Sequence, residues 1–181
     1  MRLRTLAISL YSALASIPLA VASYTDPNVL TIEDASRGPA ARHDVEQLRT
    51  EYENVTIETR TPWTKEGETI TFRGPRILDV LRKHELDAST SVQFIAYDNF
   101  TSEITLDEIR SYGPILAIDR GCTDADRQSK RCSQDQAFTP LAPEEQGPIF
   151  LVWPYEELPT AYVPARNSIW VWFVVAVRPV Q

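Results

Sequence analysis

The ten-residue run 168–177, S-I-W-V-W-F-V-V-A-V, limits most sharply what this chain can fold into. Ile169, Val171, Phe173, Val175 and Val177 occupy one side of an extended strand. Trp170, Trp172, Val174 and Ala176 occupy the other. A strand apolar on both faces has to run through the middle of a sheet covered on both sides. The run is too short to cross a bilayer as a helix. Its tryptophans are read as core or pocket wall.

The rest of the chain supplies partners for that strand. Alternation and β-branched residues predict strands at 29–32, 55–59, 69–72, 91–97, 102–106, 114–118 and 149–153. Helical spacing of Val45, Leu48 and Tyr52 predicts a helix over 43–52, with Asp44 as its N-cap. Pro75 is placed at the first position of a second helix, whose apolar side is Ile77, Leu78 and Leu81 with Val80 on its flank. A third helix is predicted over 106–112, with Asp107 and Glu108 in its first turn. Segment 24–42 is read as irregular apart from its one strand, with a turn at Ser36-Arg37-Gly38-Pro39. The expected architecture is α+β, with mixed, mainly antiparallel sheets and two or three short helices.

Residues 1–22 carry an export signal. Arg2 and Arg4 precede an apolar stretch, and Ala20-Val21-Ala22 fits a cleavage site. One domain is expected over 23–181, in a periplasmic or secreted location, with no membrane insertion after cleavage. The net charge of −7 argues against nucleic acid or anionic lipid as a partner. Segment 121–136 is polar and holds both cysteines, Cys122 and Cys132, which in an exported protein are expected to form one disulfide stapling an insertion loop. Asn54-Val55-Thr56 and Asn99-Phe100-Thr101 match the N-glycosylation pattern. His43 and His84 are each read as solvated edge residues, and no His/Cys/Asp cluster has metal-ligand spacing. No nucleophile elbow or phosphate-cradling glycine loop is present.

The run W-T…T-F-R-G-P-R-I-L-D-V-L, which begins at Trp63, resembles the W-T-G-x-x-L-x-D-V-L segment of the sulfite oxidase-like molybdopterin-binding domain family. Segments 90–109, 112–119, 147–154 and 168–179 resemble that family's later strands in order. The resemblance covers the chain from about Asn28 onward. It implies the family's fold and a cofactor cleft beside the loop after strand 55–59. In catalytic members a cysteine thiolate there ligates molybdenum. Here the loop reads Thr59-Arg60-Thr61-Pro62-Trp63, and a hydroxyl is a poor substitute for a soft thiolate. Arg2 and Arg4 are separated by Leu3, which points to the general secretory route. That route moves unfolded chains, which cannot carry a preassembled cofactor.

The expected function is therefore a non-catalytic exported binding or interaction module with no cofactor. The alternative is a molybdopterin-dependent oxidoreductase acting on a small oxyanion. The candidate cleft comprises Thr59, Arg60, Thr61, Trp63, Arg166 and Asn167, with no metal ligand and no catalytic residue assigned. Arg60 either grips an anionic ligand or pairs with a nearby carboxylate. Trp63 either walls the cleft or packs in the core, and the core is favoured. The expected partner is a small anionic ligand or an extracytoplasmic protein.

Overall fold

The structure, a computed structural model, describes residues 24–180. The export signal expected over 1–22 lies outside the described residues. Along the chain run β1 (Val29–Glu33), β2 (Pro39–Asp44), α1 (Val45–Glu51), β3 (Asn54–Thr59), β4 (Ile70–Pro75), α2 (Ile77–Lys83), β5 (Ser91–Ala96), β6 (Thr101–Thr105), α3 (Leu106–Tyr112), β7 (Ile115–Ala117), β8 (Asp119–Gly121), α4 (Asp124–Gln128), β9 (Phe138–Pro140), β10 (Phe150–Val152) and β11 (Val174–Pro179). Short 3₁₀ turns fill much of the stretch between β9 and β11.

A five-stranded sheet has the order β2-β1-β11-β5-β6, and only β1 and β11 run parallel. A four-stranded antiparallel sheet has the order β3-β4-β8-β9, and β7 pairs with β10. The architecture is thus α+β and mainly antiparallel. The described residues form four short α-helices rather than two or three, because the polar segment after Cys122 forms α4. Among the described residues no helix is long and apolar enough to cross a membrane.

β11 is the central strand of the larger sheet, as its two apolar faces require. It is shorter than the ten-residue run. Asn167–Ile169 forms a 3₁₀ turn, and the chain does not become extended in a sheet until Val174. The register against β5 slips between Val174 and Ala176. Such a bulge places two consecutive side chains on one face. Val175 and Ala176 accordingly pack together with Ile95, while Val174 and Val177 join the large core on the other face. Simple alternation over 168–177 therefore fails in both extent and phase.

The large core joins Leu30 and Ile32 of β1, Ile77, Val80 and Leu81 of α2, Ile109 of α3 and the whole of β7 and β10. β4 passes close above β7. A Cβ on Gly74 would meet the Leu116 carbonyl oxygen at 1.9 Å, so only glycine allows this approach. Pro75 ends β4 opposite Asn54 instead of opening the helix, and Arg76 is the N-cap. Asp44 does cap α1, in a capping box with Gln47, and Thr105 caps α3 in the same way with Glu108.

Segment 39–44 is an unanticipated strand. Its sequence, P-A-A-R-H-D, is polar and starts with proline, which only a sheet edge tolerates. The turn at 34–38 folds it back on β1, with Asp34 Oδ1 accepting from the Ser36 and Gly38 amides.

Candidate functional site

The loop after β3 is held by its own hydroxyls. Thr59 Oγ1 accepts from the Tyr155 amide at 2.9 Å and donates to the Arg60 carbonyl at 3.1 Å. Thr61 Oγ1 lies 3.0 Å from Thr64 Oγ1 and accepts from the Trp63 amide, and Thr64 Oγ1 accepts from the Thr61 amide. Both Thr59 and Thr61 are buried. They staple the turn that presents Trp63.

Trp63 is 47% exposed, so it does not pack in the core. Its ring stands edge-on to Trp172, with centroids 4.7 Å apart. The two rings share an open cavity of about 390 Å³ with Phe100, Asn167, Trp170 and Phe173. Trp63 and Asn167, far apart in sequence, thus meet at one site. Phe173 turns the chain at a positive φ of 50°, unusual for an aromatic residue, before β11 begins.

The polar atoms of this site are unevenly served. Asn167 Oδ1, Trp170 Nε1 and Trp172 Nε1 are buried and have no hydrogen-bond partner among the described residues. One acceptor and two donors thus stand unmatched on residues lining one cavity. Unmatched buried groups of this kind are rare and costly. Asp98 is the only lining residue with a charged side chain, and one of its carboxylate oxygens accepts from the Phe100 amide at 2.9 Å.

The two arginines of the predicted cleft are engaged elsewhere. Arg60 Nε donates to Glu156 at 2.7 Å, and its guanidinium lies 4.1 Å from the Tyr155 ring centroid. Arg166 pairs with Glu108 and lies over Tyr162. Burial raises the Glu108 carboxyl, but hydrogen bonds from Thr105 and Tyr162 and the nearby Arg166 outweigh it and hold the group below its usual range. Neither arginine lines the aromatic cavity.

Sequence reasoning missed Asp98 and Phe100, which reach the site from the turn after β5. Nothing local marks them, since Asp98-Asn99 reads as an ordinary hairpin turn. Trp170 and Trp172 carried a signal in their clustering, which left core and pocket wall open.

Cys122 and Cys132 form the expected disulfide. The stapled segment is bound to the body by ions. Arg120, 12% exposed, meets Asp126 through two nitrogens and also contacts Glu145. Arg131 grips Glu145 from the other side. The Arg120 guanidinium, reinforced by the Thr123 hydroxyl and amide, holds the Asp126 carboxyl far below its usual range.

The histidines are not solvated edge residues. His43 is buried, and its Nε2 lies 2.9 Å from His84 Nε2. Burial lowers both imidazoles from their ordinary value, and Lys83 adds to the effect. Of the two glycosylation motifs, Asn54 spends its amide on the Leu48, Arg49 and Tyr52 carbonyls, while Asn99 is exposed on a turn.

No family model matches this chain, and no curated protein matches it.

Proposed function

We propose that the chain is an exported, non-catalytic binding module on the sulfite oxidase-like molybdopterin-binding fold, and that its ligand is a small flat ring, neutral or cationic. The reading rests on one observation: an open aromatic cavity whose lining residues carry three buried polar atoms without partners among the described residues. A heterocycle bearing acceptors and a donor on its rim complements that inventory, provided the buried side chains reorient on binding. The lining aromatic faces and the Asp98 carboxylate favour positive over negative charge. An anion held by Arg60 or Arg166 has to compete with Glu156 or Glu108.

Molybdenum does not suit the residues at the corresponding loop. The Thr59 and Thr61 hydroxyls are used by backbone and by Thr64, and both cysteine sulfurs are consumed in the disulfide. Among the described residues no group of three His, Cys, Asp or Glu side chains is placed to hold a metal ion. The disulfide accords with an oxidising compartment.

The test uses three probes with one ring and different charge: tryptamine, indole and indole-3-acetate, titrated calorimetrically. Tryptamine is expected to bind at least as tightly as indole, with indole-3-acetate weakest. Trp63→Ala is expected to abolish binding and leave the fold intact, since the ring is half exposed. Binding of none of the three, or a preference for the acid, overturns the reading.

A further inference from the structure

The chain contains two histidines, and the fold turns them toward each other. His43 stands on β2, His84 closes α2 and Tyr52 follows α1. The two Nε2 atoms are 2.9 Å apart, and the Tyr52 hydroxyl lies 3.2 Å from each. Three polar atoms from three elements thus form a triangle. His43 is buried, and His84 and Tyr52 are half-buried.

Hydrogen bonds alone cannot fill that triangle. An imidazole Nε2 carries either a proton or an in-plane lone pair, never both. Suppose His43 Nε2 is bare and His84 Nε2 is protonated. Either His84 donates to His43 across 2.9 Å, which leaves the hydroxyl contacts without a free proton or lone pair on the rings, or the hydroxyl bridges the two rings, which leaves the nitrogen–nitrogen contact without a proton of its own. If both nitrogens are bare, two lone pairs face each other. If both are protonated, two protons do. In each state at least one close polar contact is unmatched in a place largely withdrawn from water.

One cation satisfies all three atoms together. We propose that His43 Nε2, His84 Nε2 and the Tyr52 hydroxyl form a site for a divalent first-row transition ion, Cu²⁺ ahead of Zn²⁺. With bonds of about 2.0–2.1 Å, edges of 2.9 and 3.2 Å correspond to ligand–metal–ligand angles of about 90–105°. Such near-right angles from nitrogen and oxygen donors suit a tetragonal ion, and Cu²⁺ also stands highest in the affinity order. Water completes the shell from the half-buried side.

The far side of the His43 ring supports the assignment. His43 Nδ1 is buried, has no hydrogen-bond partner among the described residues, and lies 3.5 Å from Glu51 Oε2. A ring that gives Nε2 to a metal keeps its proton on Nδ1, and a carboxylate beside that proton is the usual outer partner. Lys83 Nζ holds Glu51 at 2.9 Å and lies 4.4 Å from the Tyr52 ring centroid, so its charge is offset beside the site. The assignment is independent of the aromatic cavity.

The test takes untagged protein purified without metal-affinity steps and titrates it with Cu²⁺ and with Zn²⁺. One ion per chain is expected. Pulsed electron paramagnetic resonance of the Cu²⁺ complex is expected to show the remote nitrogens of two imidazoles, and the chain has no others. His84→Gln, checked for folding by circular dichroism, is expected to weaken binding at least about tenfold. Glu51→Gln is expected to weaken it by a similar factor while both imidazole signals persist. No saturable binding, unchanged affinity in folded His84→Gln, or a wild-type Cu²⁺ spectrum without two imidazoles overturns the proposal. The spectrum is read on wild-type protein, so it does not depend on any variant folding.

Discussion

Around Cys122–Cys132 the half-buried charges are matched to one another, whereas around Trp63 three buried polar atoms are matched to nothing among the described residues. The staple lies between β8 and β9, whereas the cavity is lined from the loop after β3, the turn after β5 and the stretch before β11. The first answers charge with charge: Arg120 with Asp126 and Glu145, and Glu145 again with Arg131. The second places tryptophan and asparagine polar atoms where no protein group meets them. A satisfied network consolidates structure. An unsatisfied one leaves binding energy for another molecule to recover. By this contrast, mutations around the staple act on stability and mutations around the cavity act on binding.

The largest effect that can break the contrast is Arg120→Ala. It strips Asp126 of its main partner in a nearly buried setting, and a loss of about 3–5 kcal/mol is expected in urea unfolding. A loss below about 1 kcal/mol would show that the network is only a surface ornament.

Paired Cys122→Ser and Cys132→Ser is next, with an expected cost of about 2–3 kcal/mol for releasing a short loop. Tryptamine affinity is expected to be unchanged in that variant, and a large change would join the two regions that the contrast separates.

Acid sharpens the same point. The Asp126 carboxyl titrates below its ordinary 3.8 because Arg120 and Thr123 favour its charged form. Its contribution is therefore fully present above about pH 4 and is lost as pH falls through the lowered folded value. Wild-type unfolding free energy is expected to drop below pH 4, by up to about 1.5–3 kcal/mol from this group. Asp126→Asn is expected to be less stable at neutral pH and to show a shallower decline.

Smaller still is Trp172→Phe. It deletes a donor that has no partner among the described residues and keeps an aromatic ring, so stability is expected to move by less than about 1 kcal/mol. Probe binding is expected to fall several-fold in calorimetry. Arg60→Ala closes the series. Its pair with exposed Glu156 is worth less than about 1 kcal/mol, and no loss of tryptamine binding is expected.

The fold was legible wherever a local signal and its tertiary partner agreed. Asp44 opens α1 through a bond to the amide three residues on, so the sequence distance is the physical distance. β5, β6, β7 and β10 are short apolar or alternating runs whose burial needs no special partner. β2 was hidden because an edge strand is held by backbone bonds to β1, to which its polar side chains contribute little. The cleft was half legible. Trp63 and Asn167 do meet, but Arg60 and Arg166 turn to Glu156 and Glu108, carboxylates distant in sequence that no spacing rule selects.

What the sequence determined alone is what acts over a few residues or by composition. This covers the acidic charge, the Asp44 helix cap, the turn at Ser36-Arg37-Gly38-Pro39, the two-faced β11 and the economy of two cysteines making one disulfide. The tertiary structure decided whatever depends on the meeting of distant surfaces. The bulge at Val175 sets which residues face the core, the turn at Phe173 lines a cavity within an apolar run, and the approach of the end of α2 to β2 brings the only two imidazoles to 2.9 Å. The physical reason is range. Backbone hydrogen bonding and capping are satisfied locally, while a cavity or a side-chain triangle exists only after the chain has paid the entropy of bringing remote segments together.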